Sequence, residues 1–198
     1  MLTGTLKAIG GAALAASAFS AFSRLRYQRS AIATLAEYGV RPIKKLNART
    51  SAADRLARMA SRPEPRRTLS FPIWSRRRYD VERREDDGMP VYCVRPHSAS
   101  DTVVVYLHGG GYISTASQGQ ALLIDELTRR TGAGFIVPLY PLAPHHTWQE
   151  AHRLVLDLYS RTLSENPGKR IVLMGDSAGG GLAVVIALSL AEQGSRQP

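Results

Sequence analysis

The sequence predicts an α/β protein: a mostly parallel sheet preceded by a helical arm. Two observations carry that prediction. Three short, β-branched apolar runs, Thr102–Leu107, Phe135–Leu139 and Ile171–Met174, read as strands buried on both faces. Helical stretches alternate with them, over Gln118–Arg130, Trp148–Leu163 and Gly180–Glu192. A third observation separates the arm. Of the net +10, residues 1–60 carry +8 and residues 61–90 carry +2, while residues 91–198 are neutral. The reading is therefore an arm over residues 1–66 and a core over residues 67–198.

The elements follow in order. Ala8–Ser23 is an Ala/Gly/Ser/Phe-rich run without charge, shorter than the roughly 20 residues a bilayer-spanning helix needs. Three readings fit it: a signal or anchor segment with Ala16-Ser17-Ala18 as a cleavage site, an Ala-rich helix packed on protein, and a surface-lying helix. If the run stays uncut, Arg24, Arg26 and Arg29 hold its C-terminal flank at an anionic surface. The location expected is membrane-associated or exported if the run acts as such a segment, and cytoplasmic otherwise. Ala31–Tyr38 and Ser51–Ala60 read as helices, the second capped by Ser51 with Asp54 at the capping-box offset and ended by Ser61-Arg-Pro63.

Thr68–Ile73 and Pro90–Arg95 read as strands joined through a charged turn at Glu85–Gly88, with Arg76, Arg77 and Arg78 on an exposed outer strand. In the first core helix Leu122, Leu123 and Leu127 share one face; in the second Leu154, Leu158 and Tyr159 do. Pro138 lies at the end of its strand, where a missing ladder donor makes an irregular edge.

Two glycine motifs carry chemistry. Gly175-Asp176-Ser177-Ala178-Gly179 follows a buried strand and opens a helix, as a nucleophile elbow requires. There a serine sits on a tight turn, and side chains two residues to either side collide. His108-Gly109-Gly110-Gly111 follows another buried strand. Acyl transfer needs backbone N–H groups close to a developing oxyanion, and glycines permit that approach. The second donor in this geometry is the N–H of Ala178, the residue after the serine. No Gly-Lys-Ser/Thr follows, so a phosphate loop lacks support.

These pieces resemble a family. Leu107-His-Gly-Gly-Gly-Tyr112, Tyr140-Pro-Leu-Ala-Pro144 and Gly175-Asp-Ser-Ala-Gly-Gly180 are similar to the hormone-sensitive-lipase-like branch of the α/β hydrolases. The resemblance implies the N-terminal portion of an α/β-hydrolase sheet, with helices before Pro63 as a cap. It implies a serine carboxylesterase, lipase or deacetylase acting on small acyl esters. Ser177 becomes the nucleophile and Gly109, Gly110 and Ala178 the oxyanion donors. His108 braces its loop, and Gly111, Gly175, Asp176 and Gly179 support the motifs. The sequence departs from the family at His145-His146, where a glutamate is usual.

The rest of the triad is not in view. The family order is serine, acid, histidine. The 21 residues after Ser177 hold one acid, Glu192, and no histidine; His97, His108, His145, His146 and His152 all precede it. Three expectations stay open: the front part of a longer esterase, inactive by itself; a non-catalytic binding protein of hydrolase fold; and an esterase completed by another chain or by His145 or His146. The sheet is expected to leave an open edge at Ile171–Met174. Cys93 is the single cysteine, which excludes an internal disulfide. No metal or organic cofactor is implied. The partners expected are a small acyl ester and, through residues 1–30, a membrane surface. No nucleic-acid fold signature is present. Oligomeric state is not readable from the sequence.

Overall fold

A computed structural model describes residues 16–48, 51–98 and 100–198. The first half of the Ala8–Ser23 run, residues 8–15, lies outside them. The chain divides into two compact units, Met1–Arg58 and Met59–Pro198.

In the first unit, residues 16–27 form α1, so Ala16-Ser17-Ala18 is helical. Helix α2, Ala31–Ala48, runs ten residues beyond the expected end and contains Pro42. Proline removes one helical hydrogen bond, and the Glu37–Arg41 pair (3.0 Å) bridges the turn before it. The break between α1 and α2 is held by side chains. Ser30 Oγ accepts from the Ala33 N–H (3.2 Å), and Arg29 lies over the Tyr27 ring while pairing with Glu37. Helix α3, Ala52–Ala60, has the expected start: Ser51 Oγ accepts from the Asp54 N–H (3.0 Å).

The second unit holds a five-stranded mixed sheet in the order β1-β2-β4-β3-β5. Its strands are β1 (Tyr79–Asp86), β2 (Met89–Pro96), β3 (Thr102–Leu107), β4 (Gly134–Pro138) and β5 (Arg170–Gly175). Strands β4, β3 and β5 are mutually parallel; β1 and β2 add antiparallel at one side.

The hairpin differs from the expectation. Thr68–Ile73 is not a strand but a covering segment. Leu69 is buried and its N–H donates to the Tyr92 hydroxyl (3.1 Å), while Phe71 packs edge-on against Tyr79 (6.2 Å). The strand is instead the charged stretch Tyr79–Asp86. Its pairing is set by Asp87-Gly88, both in the left-handed region (φ 51° and 76°), the geometry of a two-residue hairpin turn. The Arg76–Arg78 run is likewise not on that strand. Ile73–Arg77 is a 3₁₀ turn, and Arg78 reaches across to Asp125 (2.9 Å). Asp125 also accepts from the Tyr79 hydroxyl (2.8 Å), whose pKa burial pushes up to about 12.

Three helices cover this sheet: α4 (Gln118–Thr131) on one face, α5 (Trp148–Glu165) and α6 (Ala178–Glu192) on the other. Of the three leucines expected on one inward face of α4, only Leu127 packs against the core. Ala121, Ile124, Asp125 and Thr128 are buried, whereas Leu122 and Leu123 are exposed. The partner at that register is the polar Arg78–Asp125–Tyr79 group, which draws Asp125 inward. Helix α5 buries Leu154, Leu158 and Tyr159 as expected. Pro138 lies past the last β3–β4 pair, opposite Val91, and pairing with β2 resumes as the Leu139 N–H donates to the Pro90 carbonyl (2.8 Å). Among the described residues β5 pairs only with β3, so the sheet is open on that side.

Candidate active site

The site is built where β3 and β5 end side by side, Leu107 opposite Gly175. Ser177 links β5 to α6. It is exposed and held at φ 50°, ψ −119°, a region that costs a residue with a side chain about 1–3 kcal/mol. The surrounding packing fixes it there. A Cβ on Gly179 would stand 2.0 Å from the Leu107 carbonyl oxygen, and one on Gly175 would stand 2.4 Å from the Gly179 carbonyl carbon. The first turn of α6 thus crosses the end of β3 at backbone contact, and only glycine permits it.

Asp176 ties the two motifs together. Its Oδ1 accepts from the Tyr106 hydroxyl (2.7 Å), the Gly109 N–H (2.8 Å) and Gln120 Nε2 (3.0 Å). Burial opposes the charge, but these donors outweigh it and hold the carboxyl below the usual aspartate range. The Gln120 carbonyl oxygen is engaged as well, accepting from the Ser117 N–H (2.6 Å) in the capping box of α4. Helix α4, strand β3 and the elbow therefore meet on one carboxylate.

This network corrects one expectation. The Gly109 N–H faces Asp176 and is not free to meet an oxyanion. The N–H groups of Gly110, Gly111 and Ala178 make no hydrogen bond among the described residues. Gly110 turns the loop back, its carbonyl accepting from Ile113 and Ser114 (3.2 and 3.1 Å). Tyr112 is pinned by its carbonyl, which accepts from the Ala143 N–H (2.8 Å) in the Tyr140–Pro144 loop.

The histidines lie elsewhere. His108 is fully buried and stacked on Tyr140, with centroids 4.3 Å apart and planes 7° from parallel. Its Nδ1 donates to the Gly109 carbonyl (2.8 Å), and burial lowers its pKa, so it is a neutral brace. His146 is engaged at both nitrogens, by Glu150 (2.9 Å) and Glu64 (3.2 Å). His152 contacts Ser189 (2.9 Å), joining α5 to α6, and His97 contacts Asp80 (3.4 Å). His145 is exposed on its loop. Among the described residues no histidine hydrogen-bonds Ser177, and no group of three or more His, Cys, Asp or Glu side chains is placed to hold a metal.

Tyr106 and Gln120 were not singled out in the sequence. Each left a signal: a tyrosine hydroxyl at the end of an otherwise apolar strand needs a partner, and Gln120 stands three residues after Ser117, at capping-box spacing.

Residues 104–198 match the family described as alpha/beta hydrolase fold. The chain is similar to a Mycobacterium tuberculosis protein named as an acetyl-hydrolase, 36% identical over 113 residues that cover 56% of this chain and 37% of that one. It is also similar to the hormone-sensitive lipase of Mus musculus, 32% identical over 111 residues, 52% of this chain and 15% of the lipase. Among solved structures, an esterase from the bacterial hormone-sensitive lipase family superposes with a TM-score of 0.56 at 26% identity, covering 73% of this chain and 54% of that chain. The chain thus spans little more than a third of the acetyl-hydrolase and about half of the solved esterase.

Proposed function

We propose that this chain, an α/β hydrolase related to the hormone-sensitive-lipase-like esterases and lipases, holds the nucleophile and oxyanion half of a serine carboxylic-ester hydrolase acting on small acyl esters. One observation carries the reading. Ser177 is exposed on a strained turn beside three unused N–H groups, those of Ala178, Gly110 and Gly111, presented from two separate strand ends. In this reading the Ser177 hydroxyl attacks the ester carbonyl carbon. The carbonyl electron pair moves onto oxygen, where the free N–H groups stabilise it. The carbon–oxygen bond to the alcohol then breaks, and water later releases the acid from the serine ester. His108 and Asp176 shape the loop and carry no proton in these steps.

The serine proton needs a base. His146 is clamped between two carboxylates, His108 is buried, and His145, exposed on its loop, makes no hydrogen bond to Ser177. The chain alone is therefore expected to turn over p-nitrophenyl butyrate poorly, and added imidazole to raise the rate. Above the hydrolysis that imidazole itself causes without protein, Ser177→Ala abolishes the imidazole-dependent rate, and a rate unchanged in that variant overturns the reading. Saturable ester binding with no Ser177-dependent reaction favours the non-catalytic alternative.

For the arm we infer a peripheral membrane contact. Leu25 and Ile32 are 85% and 80% exposed beside Arg24 and Arg26, an apolar and cationic surface suited to anionic headgroups. No helix among the described residues is long and apolar enough to cross a membrane. Cosedimentation of the chain with phosphatidylserine vesicles, lost in high salt and in Leu25→Asp/Ile32→Asp, supports the contact. Cosedimentation unchanged by that pair of substitutions refutes it.

A further inference from the structure

A second cavity of about 630 Å³ opens at the other end of the parallel strands, away from Ser177. It lies where β3 and β4 begin and where α5 ends. Its floor includes Cys93, Val103 and Ile136, which are buried core residues of the α5 face. Its walls bring together cations from three elements: Arg84 of β1, Arg95 of β2 and Lys169 of the α5–β5 loop. The one acid among the lining residues is Glu165.

Those cations are incompletely matched. Arg84 gives one Nη1 bond to Glu165 (3.3 Å) and its Nη2 is ion-paired with Asp86 Oδ2 at 3.3 Å, yet neither Nη2 nor Nε makes a hydrogen bond. A buried donor left without an acceptor is unfavourable, more so when charged. The Lys169 ammonium has no partner among the described residues, whereas Arg95 pairs with Glu82 (2.7 Å) on the outside of the hairpin. An apolar floor beneath two under-used cations has the chemistry of an amphiphilic anion site.

We propose that this basal cavity binds a small organic monoanion. Its carboxylate accepts from Arg84 and Lys169, and its short apolar body lies over Cys93, Val103 and Ile136. The site is separate from Ser177, so the proposal stands or falls independently of the esterase reading.

The test is calorimetric titration of the 198-residue chain with hexanoate, beside hexanamide, inorganic phosphate and chloride at matched ionic strength. Hexanoate is expected to bind at one site, and hexanamide at least tenfold more weakly for want of charge. Phosphate binding comparable to hexanoate would mean that the cations alone recognise the ligand, and would overturn the apolar part of the proposal. Arg84→Met and Lys169→Met are each expected to weaken hexanoate at least tenfold, while Ser177→Ala leaves it unchanged. Lys169 makes no side-chain bond among the described residues, so its variant keeps the test alive if Arg84→Met fails to fold. No hexanoate binding, or binding unchanged in Lys169→Met, overturns the proposal.

Discussion

Helix α6 is packed very differently in its first turn and on its outer face. Its first turn meets β3 at backbone contact, with no room for a methyl group at Gly179. Further along, Val184 and Leu188 are 60% and 59% exposed, although the helix is apolar on nearly every side. The first turn presents Ser177, while Leu182, Ile186 and Leu190 bury the inner face along the length of the helix. Fold stability and serine presentation are therefore concentrated in a few backbone contacts, and the apolar outer face of α6 adds little to this unit.

That contrast is most directly broken in the first turn. Gly179→Ala places a Cβ 2.0 Å from the Leu107 carbonyl oxygen, and neither backbone has a rotamer with which to yield. We expect a loss of about 3 kcal/mol in urea denaturation, the upper end for overpacking. Reaction of Ser177 with a fluorophosphonate probe should fall with it. A variant of native stability would show that the crossing relaxes easily. A matched pair along the helix sharpens the contrast: Ile186 is fully buried, so Ile186→Ala should cost about 2–5 kcal/mol, against about 0.5 kcal/mol or less for Leu188→Ala. Similar costs for both would mean that the outer face of α6 is covered in solution.

The Asp176 network is the next step down. Asp176→Asn keeps the shape but replaces a charged acceptor by an amide that also donates. Hydrogen bonds to a charged group are worth about 1.5–3 kcal/mol each, and the partial exposure of Asp176 places the expected loss near 1 kcal/mol. The pH dependence follows from the lowered pKa. An acid whose folded value lies below its unfolded value stabilises the fold fully above the unfolded value, here near 3.8, and loses that contribution as pH falls through the folded value. The wild-type chain should therefore lose more stability than Asp176→Asn on acidification below about pH 4. Parallel acid profiles would remove Asp176 as the anchor.

How much of this was legible in the sequence varies by element. The elbow and the His108–Gly111 loop were readable because their glycines answer to backbone collisions that any such crossing imposes, and because buried parallel strands announce themselves as β-branched runs. The hairpin was not. Tyr79–Asp86 is a strand by virtue of its Asp87-Gly88 turn and its partner β2, and its charged residues carry no apolar alternation. Thr68–Ile73 misled for the opposite reason. Leu69 and Phe71 do face the core, but as a cover that makes no ladder, and Ile73 is exposed. The commitment of the Gly109 N–H to Asp176 depends on a contact between residues 67 positions apart, which local pattern does not encode.

The smallest effect tests the open flank itself. Val184→Glu with Leu188→Glu replaces two exposed apolar side chains on the outer face of α6 by good helix formers. If that face is in water, unfolding free energy should change by about 0.5 kcal/mol or less, because little apolar area leaves or enters solvent. Self-association in sedimentation velocity should fall, since charge interrupts an apolar patch beside an unpaired strand edge. A large loss of stability would instead place the face inside an interface, and the charged pair would then be buried at a cost. The first turn and the outer face of α6 would then differ only in what packs them.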